Sequence, residues 1–417
     1  MCIRHLKMIS MQLQELLQVR KQKGIQIAKT KKVVRDGYKW LVPSQSSNRQ
    51  YEVMLRIDKS TCTCPDFVER GIKCKHIFAV EITITKTMNQ DGTATITATK
   101  RITYSQDWPD YTKAQVEEGH LFRTLLKDLV ENMPEEPYHF GRPSVPKRTA
   151  IFCAIDKVYS MQSSRRAHSR YEDAQQKEQI GKAPSYNIVN ITLNDMRVTP
   201  ILTDLLHITA APLKGIETKF SPDSTGFRTS RFSDYCEQKH KTKREHKWIK
   251  CHAMTGNTTN IITDAIIMDE NSPDCPQMIP MLNNTIEIGF NVNELSADKA
   301  YNSMANYNAV HEIGGTAYIP YRSGTTARGN TGNRARVWRR AFHYFQLHQD
   351  EFLEHYHNRS NVETTFFAVK AKFGDSVKNK TFVSQTNEVL CKLIAYNITV
   401  LISAMYELKI EPTLISS

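Results

Sequence analysis

The stretch HYHNRSNVETTFFAVKAKFGD, residues 355–375, sets Tyr356, Arg359, Glu363 and Lys370 at offsets of 3, 7 and 14 residues. On a helix those offsets fall within about 60° of one another, so a phenol, a guanidinium, a carboxylate and an ammonium share one face. Arg359 and Glu363 alone read as an i, i+4 surface pair worth roughly 0.2–0.5 kcal/mol. With acidic partners from elsewhere, the same face reads as a metal-binding and phosphate-holding one. Two such partners are Asp223 in SPDSTGFRTS and Asp298 in ELSADKAYNS, each expected at the end of a strand, where singly they read as a turn cap and a helix N-cap. With Glu363 they form an Asp, Asp, Glu set with 74 and 64 residues between its members. A second constellation is TCTCPDFVERGIKCKHIFAV, in which Cys62, Cys64, Cys74 and His76 give C-x-C, nine residues, then C-x-H. Three thiolates and an imidazole are a preferred tetrahedral set for one structural Zn²⁺, and Pro65 and Gly71 let the intervening loop turn back. A chance thiol cluster or a redox pair does not need His76.

The chain has 417 residues, enough for two or three domains. Lys and Arg exceed Asp and Glu by 56 to 43, giving +13 and a pI near 9.2, which suits a polyanionic partner, nucleic acid above all. The first residues lack the apolar core of a secretory signal, and nine irregularly spaced cysteines argue for reduced thiols, so a soluble intracellular protein is expected.

The elements that must position these residues follow from periodicity. Residues 1–32 read as a basic amphipathic helix with Leu6, Ile9, Leu13, Leu16 and Leu17 on its apolar stripe, and 33–105 as a strand-rich module built from GYKWLVPS, YEVMLRID, EITITKT and TATITATKRITY. Residues 106–148 hold a helix and a linker with Pro134, Pro137, Pro143 and Pro146. Helices are expected over 149–212, where SRRAHSRYEDAQQKEQIGKAPSYNIVN supplies basic residues but no clean helix-turn-helix pattern. Strands then follow through FSPDSTGF, KWIKCHAMTG, NIITDAIIMD, TIEIGFNVNELSAD and TAYIPYR, and the last ninety residues are mostly helical. The basic runs QKHKTKREHKWIK and YRSGTTARGNTGNRARVWRR read either as solvated surface or as a DNA path.

The Cys/His spacing with Trp40 before it and CxCPDF…CKHI around it resembles a SWIM zinc finger. DSTGF, ADKAYNS and Y-x2-R-x3-E-x6-K, in that order over about 140–405, resemble an insertion-sequence transposase of the DDE superfamily. That resemblance implies an α/β, RNase H-like catalytic core over 213–410, a mixed sheet flanked by helices, with Asp223 on its first strand, Asp298 just after the fourth and Glu363 on a late helix. It implies two Mg²⁺ ions, replaceable by Mn²⁺, held by Asp223, Asp298 and Glu363. Asp264, Asp269 and Asp274 are second choices. It implies DNA-phosphate contacts from Tyr356, Arg359 and Lys370, with Arg322, Arg334, Arg336 and Arg339 on the basic run, and a helical DNA-binding region over 149–212. Trp338 is either a packing residue or a platform for a flipped base. The partners implied are double-stranded DNA, as terminal inverted repeats and target, and a second copy of the chain in a synaptic complex, in the cytoplasm at the nucleoid of a prokaryotic host. The activity implied is cut-and-paste DNA transposition; the alternatives are a catalytically silent DNA-binding regulator derived from such an enzyme and a stand-alone nuclease. The interval between Asp298 and Glu363 is short beside relatives that carry a β-rich insertion there.

Overall fold

A computed structural model describes residues 19–28, 30, 31, 33–36, 39–45, 49–55, 60–85, 108–131, 133, 134, 140, 144–229, 247–327, 332 and 335–414. The chain divides into two compact units, Met1–Ser105 and Gln106–Ser417.

In the first unit a helix, α1, runs over residues 19–28, and β1 (Val34–Asp36), β2 (Lys39–Pro43), β3 (Gln50–Met54) and β4 (Thr61–Cys62) form an antiparallel sheet in chain order. α2 (Pro65–Arg70) starts with proline at its first position and ends at Gly71, whose φ of 61° is the left-handed conformation that a C-cap requires. α3 (Lys75–Thr85) follows. EITITKT, expected as a strand, is helical through Thr85: its start is fixed by buried His76 and Ile77, and Ala79 and Val80 continue the packed face, so tertiary burial overrides β-branched propensity. The apolar stripe of residues 1–18 and the TATITATKRITY segment lie outside the described residues.

The second unit opens with helices α4 (Trp108–Glu131), α5 (Lys147–Tyr159), α6 (His168–Gln176), α7 (Tyr186–Leu193) and α8 (Val198–Ala210). Its sheet takes β5 (Lys219–Arg228), β6 (Trp248–Gly256), β7 (Ile262–Asp269), β8 (Glu294–Ser296) and β9 (Thr316–Tyr318) in the spatial order β7-β6-β5-β8-β9. The β5, β6 and β7 neighbours are antiparallel, while β8 joins β5 and β9 joins β8 in parallel. The remaining helices are α9 (Met278–Glu287), α10 (Met304–Glu312), α11 (Arg336–Leu347), α12 (Gln349–Tyr356), α13 (Ser360–Phe373) and α14 (Phe382–Glu407). This mixed sheet flanked by helices is the RNase H-like arrangement implied above.

TIEIGFNVNELSAD is a strand only at Glu294–Ser296; Thr285–Glu287 close α9, whose buried Met278, Met281, Leu282 and Thr285 keep a helical period that begins upstream of the quoted stretch. α14 is apolar and long enough to cross a membrane, yet 78% of that stretch is buried inside the fold, where it packs on α4, α5 and α8. Its Asn397 is fully buried and satisfied: the amide accepts from the Ile262 N–H (3.0 Å) and donates to the Ile262 carbonyl (2.7 Å) and Thr209 Oγ1 (3.1 Å). One side chain thereby ties α14 to β7 and α8.

Candidate active site and metal centre

The finger ligands converge because β4 ends at Cys62 and α3 begins one residue after Cys74. Cys62, Cys64, Cys74 and His76 are all buried, and their ligand atoms lie within 4.8 Å of one another. His76 Nδ1 stands 3.9 Å from both Cys62 Sγ and Cys74 Sγ. The edge of a tetrahedron with zinc–sulfur bonds near 2.3 Å and zinc–nitrogen bonds near 2.05 Å is about 3.6 Å, so this donor set fits a structural Zn²⁺ through Nδ1. The Cys64 N–H donates to Cys62 Sγ at 3.4 Å, and the hydrogen bond from Cys62 lowers the Cys74 thiol to about 4. Tyr51 covers the imidazole at a centroid distance of 4.7 Å.

In the second unit, parallel register pairs Lys219 with Glu294 and Phe220 with Leu295. Asp223, within β5, and Asp298, two residues past the end of β8, each stand four residues further along, which brings them to one level. Asp223 is mid-strand rather than at a strand end, because Ser224, Thr225 and Gly226 continue the ladder with β6. Each Asp spends one oxygen on the next backbone N–H: Asp223 Oδ1 accepts from Ser224 at 2.8 Å, and Asp298 Oδ1 accepts from Lys299 at 2.6 Å as it caps the turn after β8. The free oxygens meet Arg359, whose Nη2 lies 3.0 Å from Asp223 Oδ2 and 3.9 Å from Asp298 Oδ2, while its Nη1 donates to Glu363 Oε1 at 2.8 Å. One guanidinium therefore bridges carboxylates from three distant segments. Burial pushes the Asp223 carboxyl above its ordinary range, opposed by the Ser224 N–H and Arg359 and reinforced by Glu363 and Asp298. Burial opposes the Arg359 charge, but the surrounding acids, Asp223 foremost, outweigh it and raise that group.

The single helix face expected over 356–370 is interrupted. α12 stops at Tyr356, a 3₁₀ turn holds His357–Arg359, and α13 carries Glu363 and Lys370. The turn aims Arg359 inward onto Asp223, a direction that Glu363, exposed on the first turn of α13, does not share. Lys370 Nζ donates to Thr225 Oγ1 at 2.6 Å and lies over the Phe227 ring, so β5 fixes it two residues beyond Asp223. Tyr356 is half-buried beside the cluster, and burial raises its phenol. Arg322 and Arg336 are exposed, Arg339 is half-buried, and Arg334 lies outside the described residues.

Trp338 is 6% exposed; its indole N–H donates to Asn302 Oδ1 at 2.8 Å, Phe342 stacks beside it, and Tyr321 meets it edge-on. That is the environment of a packing residue. Asp264 is 1% exposed and accepts from Asn284 Nδ2 at 2.9 Å, with His207 Nε2 at 2.8 Å, so its oxygens are committed inside the fold. Asp269 accepts from the Asn271 N–H in a turn, and Asp274 pairs with Lys250 at 2.8 Å.

Two residues escaped the sequence reading. Tyr301, in the ADKAYNS stretch, is buried with its hydroxyl lacking a hydrogen-bond partner and sits in the field of Asp223, Asp274, Arg359 and Asp298; its phenol is raised, chiefly by burial. Phe367 is 73% exposed one turn beyond Glu363 and three residues before Lys370, a helical spacing that could have signalled it.

Residues 217–398 match the family model of the transposase DDE domain, and residues 51–84 match that of the SWIM zinc finger. Among solved structures, the chain is similar to the cryo-EM structure of a piggyBac transposase synaptic complex with hairpin DNA, at 10% identity and a TM-score of 0.34, over 69% of this chain and 74% of that one. No curated protein matches. The Asp223, Asp298 and Glu363 cluster falls inside the first matched span and the Cys62, Cys64, Cys74 and His76 cluster inside the second, so the chain joins a stretch that matches the SWIM zinc finger to one that matches the transposase DDE domain.

Proposed function

We propose that this chain cuts DNA at the ends of its own mobile element and joins the freed 3′-hydroxyls to target DNA, with Asp223, Asp298 and Glu363 holding two Mg²⁺ ions. The observation that carries this reading is the convergence of those three carboxylates on one guanidinium-sized position. Attack on a phosphodiester drives an anionic nucleophile at an anionic centre and expels an alkoxide. Paired divalent ions supply activation of the first and neutralisation of the second. Carboxylate oxygens suit hard Mg²⁺, as the thiolates of the finger suit zinc. Asp223 and Asp298 are preoriented, since each has one oxygen fixed by the following N–H and the other turned to the shared centre. Lys370, braced by Thr225, provides a positive charge further along β5 for a backbone phosphate. Tyr356, Arg359 and the arginines at 322, 334, 336 and 339 complete the phosphate path in this reading, with affinity dominated by salt-sensitive contacts. Trp338 packs the fold. Pairing of two ends calls for two copies of the chain, acting in the cytoplasm at the nucleoid.

The test is incubation of the full chain with a duplex carrying one element end, a supercoiled target plasmid and Mg²⁺. Products in which the element end is covalently joined to the plasmid are expected. Nicked ends without joined products would leave a nuclease, and end binding without cutting would leave a silent regulator.

A further inference from the structure

Arg359 is positioned unlike the other basic residues at the site. Lys370 is braced against Thr225, and Arg322 and Arg336 are exposed, whereas Arg359 places both terminal nitrogens on the carboxylates and keeps its buried Nε without a hydrogen-bond partner. Its Nη2 stands between Asp223 Oδ2 and Asp298 Oδ2, the two oxygens that no backbone N–H uses. A cation bridging the two aspartates would require that same space. The guanidinium also neutralises three like charges that would otherwise repel one another across a partly buried site.

We propose that Arg359 is a resident placeholder for the metal: in the DNA-free protein it occupies the shared position between Asp223 and Asp298, and it vacates that position when a DNA phosphate offers it an alternative bidentate partner. This rests on the reading of the three carboxylates as metal ligands. A phosphodiester accepts two parallel N–H bonds from a guanidinium as a carboxylate does, so the exchange keeps the side chain satisfied. Arg359 lies in the short 3₁₀ turn between α12 and α13, so it can change partner without disturbing either helix. The consequence is reciprocal coupling, in which DNA binding tightens metal binding and metal binding tightens DNA binding. Metal-charged, cutting-competent protein would then accumulate chiefly on DNA.

The test uses the zinc-loaded full chain and Mn²⁺ alone as probe, with binding read by the loss of the free Mn²⁺ paramagnetic resonance signal. Arg359→Gln should bind Mn²⁺ roughly tenfold more tightly than the unaltered chain without DNA, equivalent to about 1.4 kcal/mol. Addition of an element-end duplex should tighten Mn²⁺ binding by the unaltered chain and leave Arg359→Gln nearly unchanged. Arg359→Lys keeps the charge but cannot reach all three carboxylates, so it should shift in the same direction by less; it also serves if Arg359→Gln does not fold. Equal or weaker Mn²⁺ binding by the folded variants without DNA would overturn the placeholder. Adding Asp223→Asn or Glu363→Gln to the Arg359 variant should abolish the Mn²⁺ site, and retention of the site there would instead overturn the assignment of the carboxylates.

Discussion

Removal of zinc should unfold the first unit and leave the second intact. The aliphatic core of the finger is small: Ile27, Val42, Val53, Ile77 and Val80 are buried, and three of the remaining members of that cluster are the cysteine ligands themselves. Burying five such side chains contributes roughly 8–15 kcal/mol before the cost of ordering the chain. A structural zinc contributes about 10–16 kcal/mol, so the metal supplies as much as the whole aliphatic core. The site also holds its own scaffold together, since β4 supplies Cys62, the N-cap of α2 is Cys64, and Cys74 and His76 flank the first residue of α3. Cys74→Ser, or chelation confirmed by metal analysis, should therefore collapse amide hydrogen-exchange protection across residues 61–85. Protection of β5 and α14 should be unaltered, because their core is separate. Retained protection of 61–85 in zinc-free protein would refute the reasoning.

Trp338→Ala should destabilise the second unit by about 3–5 kcal/mol in denaturant melts, through the cavity and the lost bond to Asn302, with Trp338→Phe milder; an unchanged melt would remove the packing role. Asp264→Ala should lower stability by roughly 1–3 kcal/mol by leaving the half-buried His207 and Asn284 groups without their buried partner, while cleavage at a permissive temperature persists. Loss of cleavage in well-folded Asp264→Ala would instead make that residue a metal ligand. Burial lowers the Lys392 ammonium from 10.5 to about 8, so below pH 8 both folded and unfolded chains carry the proton and the cost of the buried charge is fully present. Between pH 8 and 10 the unfolded chain binds more proton than the folded one, and stability rises with pH, by up to about 3 kcal/mol on full relief. Comparing the stability of the unaltered chain and Lys392→Met across that window isolates the effect: the difference should shift in favour of the unaltered chain as pH rises, and a constant difference would contradict it.

Much of the finger was legible, because Cys62, Cys64, Cys74 and His76 are close in sequence and tetrahedral zinc needs those donors at short spacings. The α/β class and most strands of the second unit were legible from strand-like runs such as KWIKCHAMTG and NIITDAIIMD, which form β6 and β7. Where patterning misled, packing had overridden it: Glu81–Thr85 joins a helix begun at the ligands, and Thr285–Glu287 ends one begun at Met278. The helix face at 356–370 gave the residue types but not the 3₁₀ turn, since neither Pro nor Gly marks it. The bracing of Lys370 by Thr225 depends on a pairing 145 residues apart, and the burial of Tyr301 depends on strand register, so neither has a local signal.

The most direct measurement of the central claim is cleavage of an element-end duplex by Asp223→Ala, Asp298→Ala and Glu363→Ala, each with end binding measured on the same preparation. Each substitution should abolish strand cleavage with Mg²⁺ or Mn²⁺ while leaving end binding nearly intact, because binding is spread over many basic contacts. Cleavage at the normal rate by any one of the three would contradict its place among the metal-holding carboxylates, and with it the account of the site.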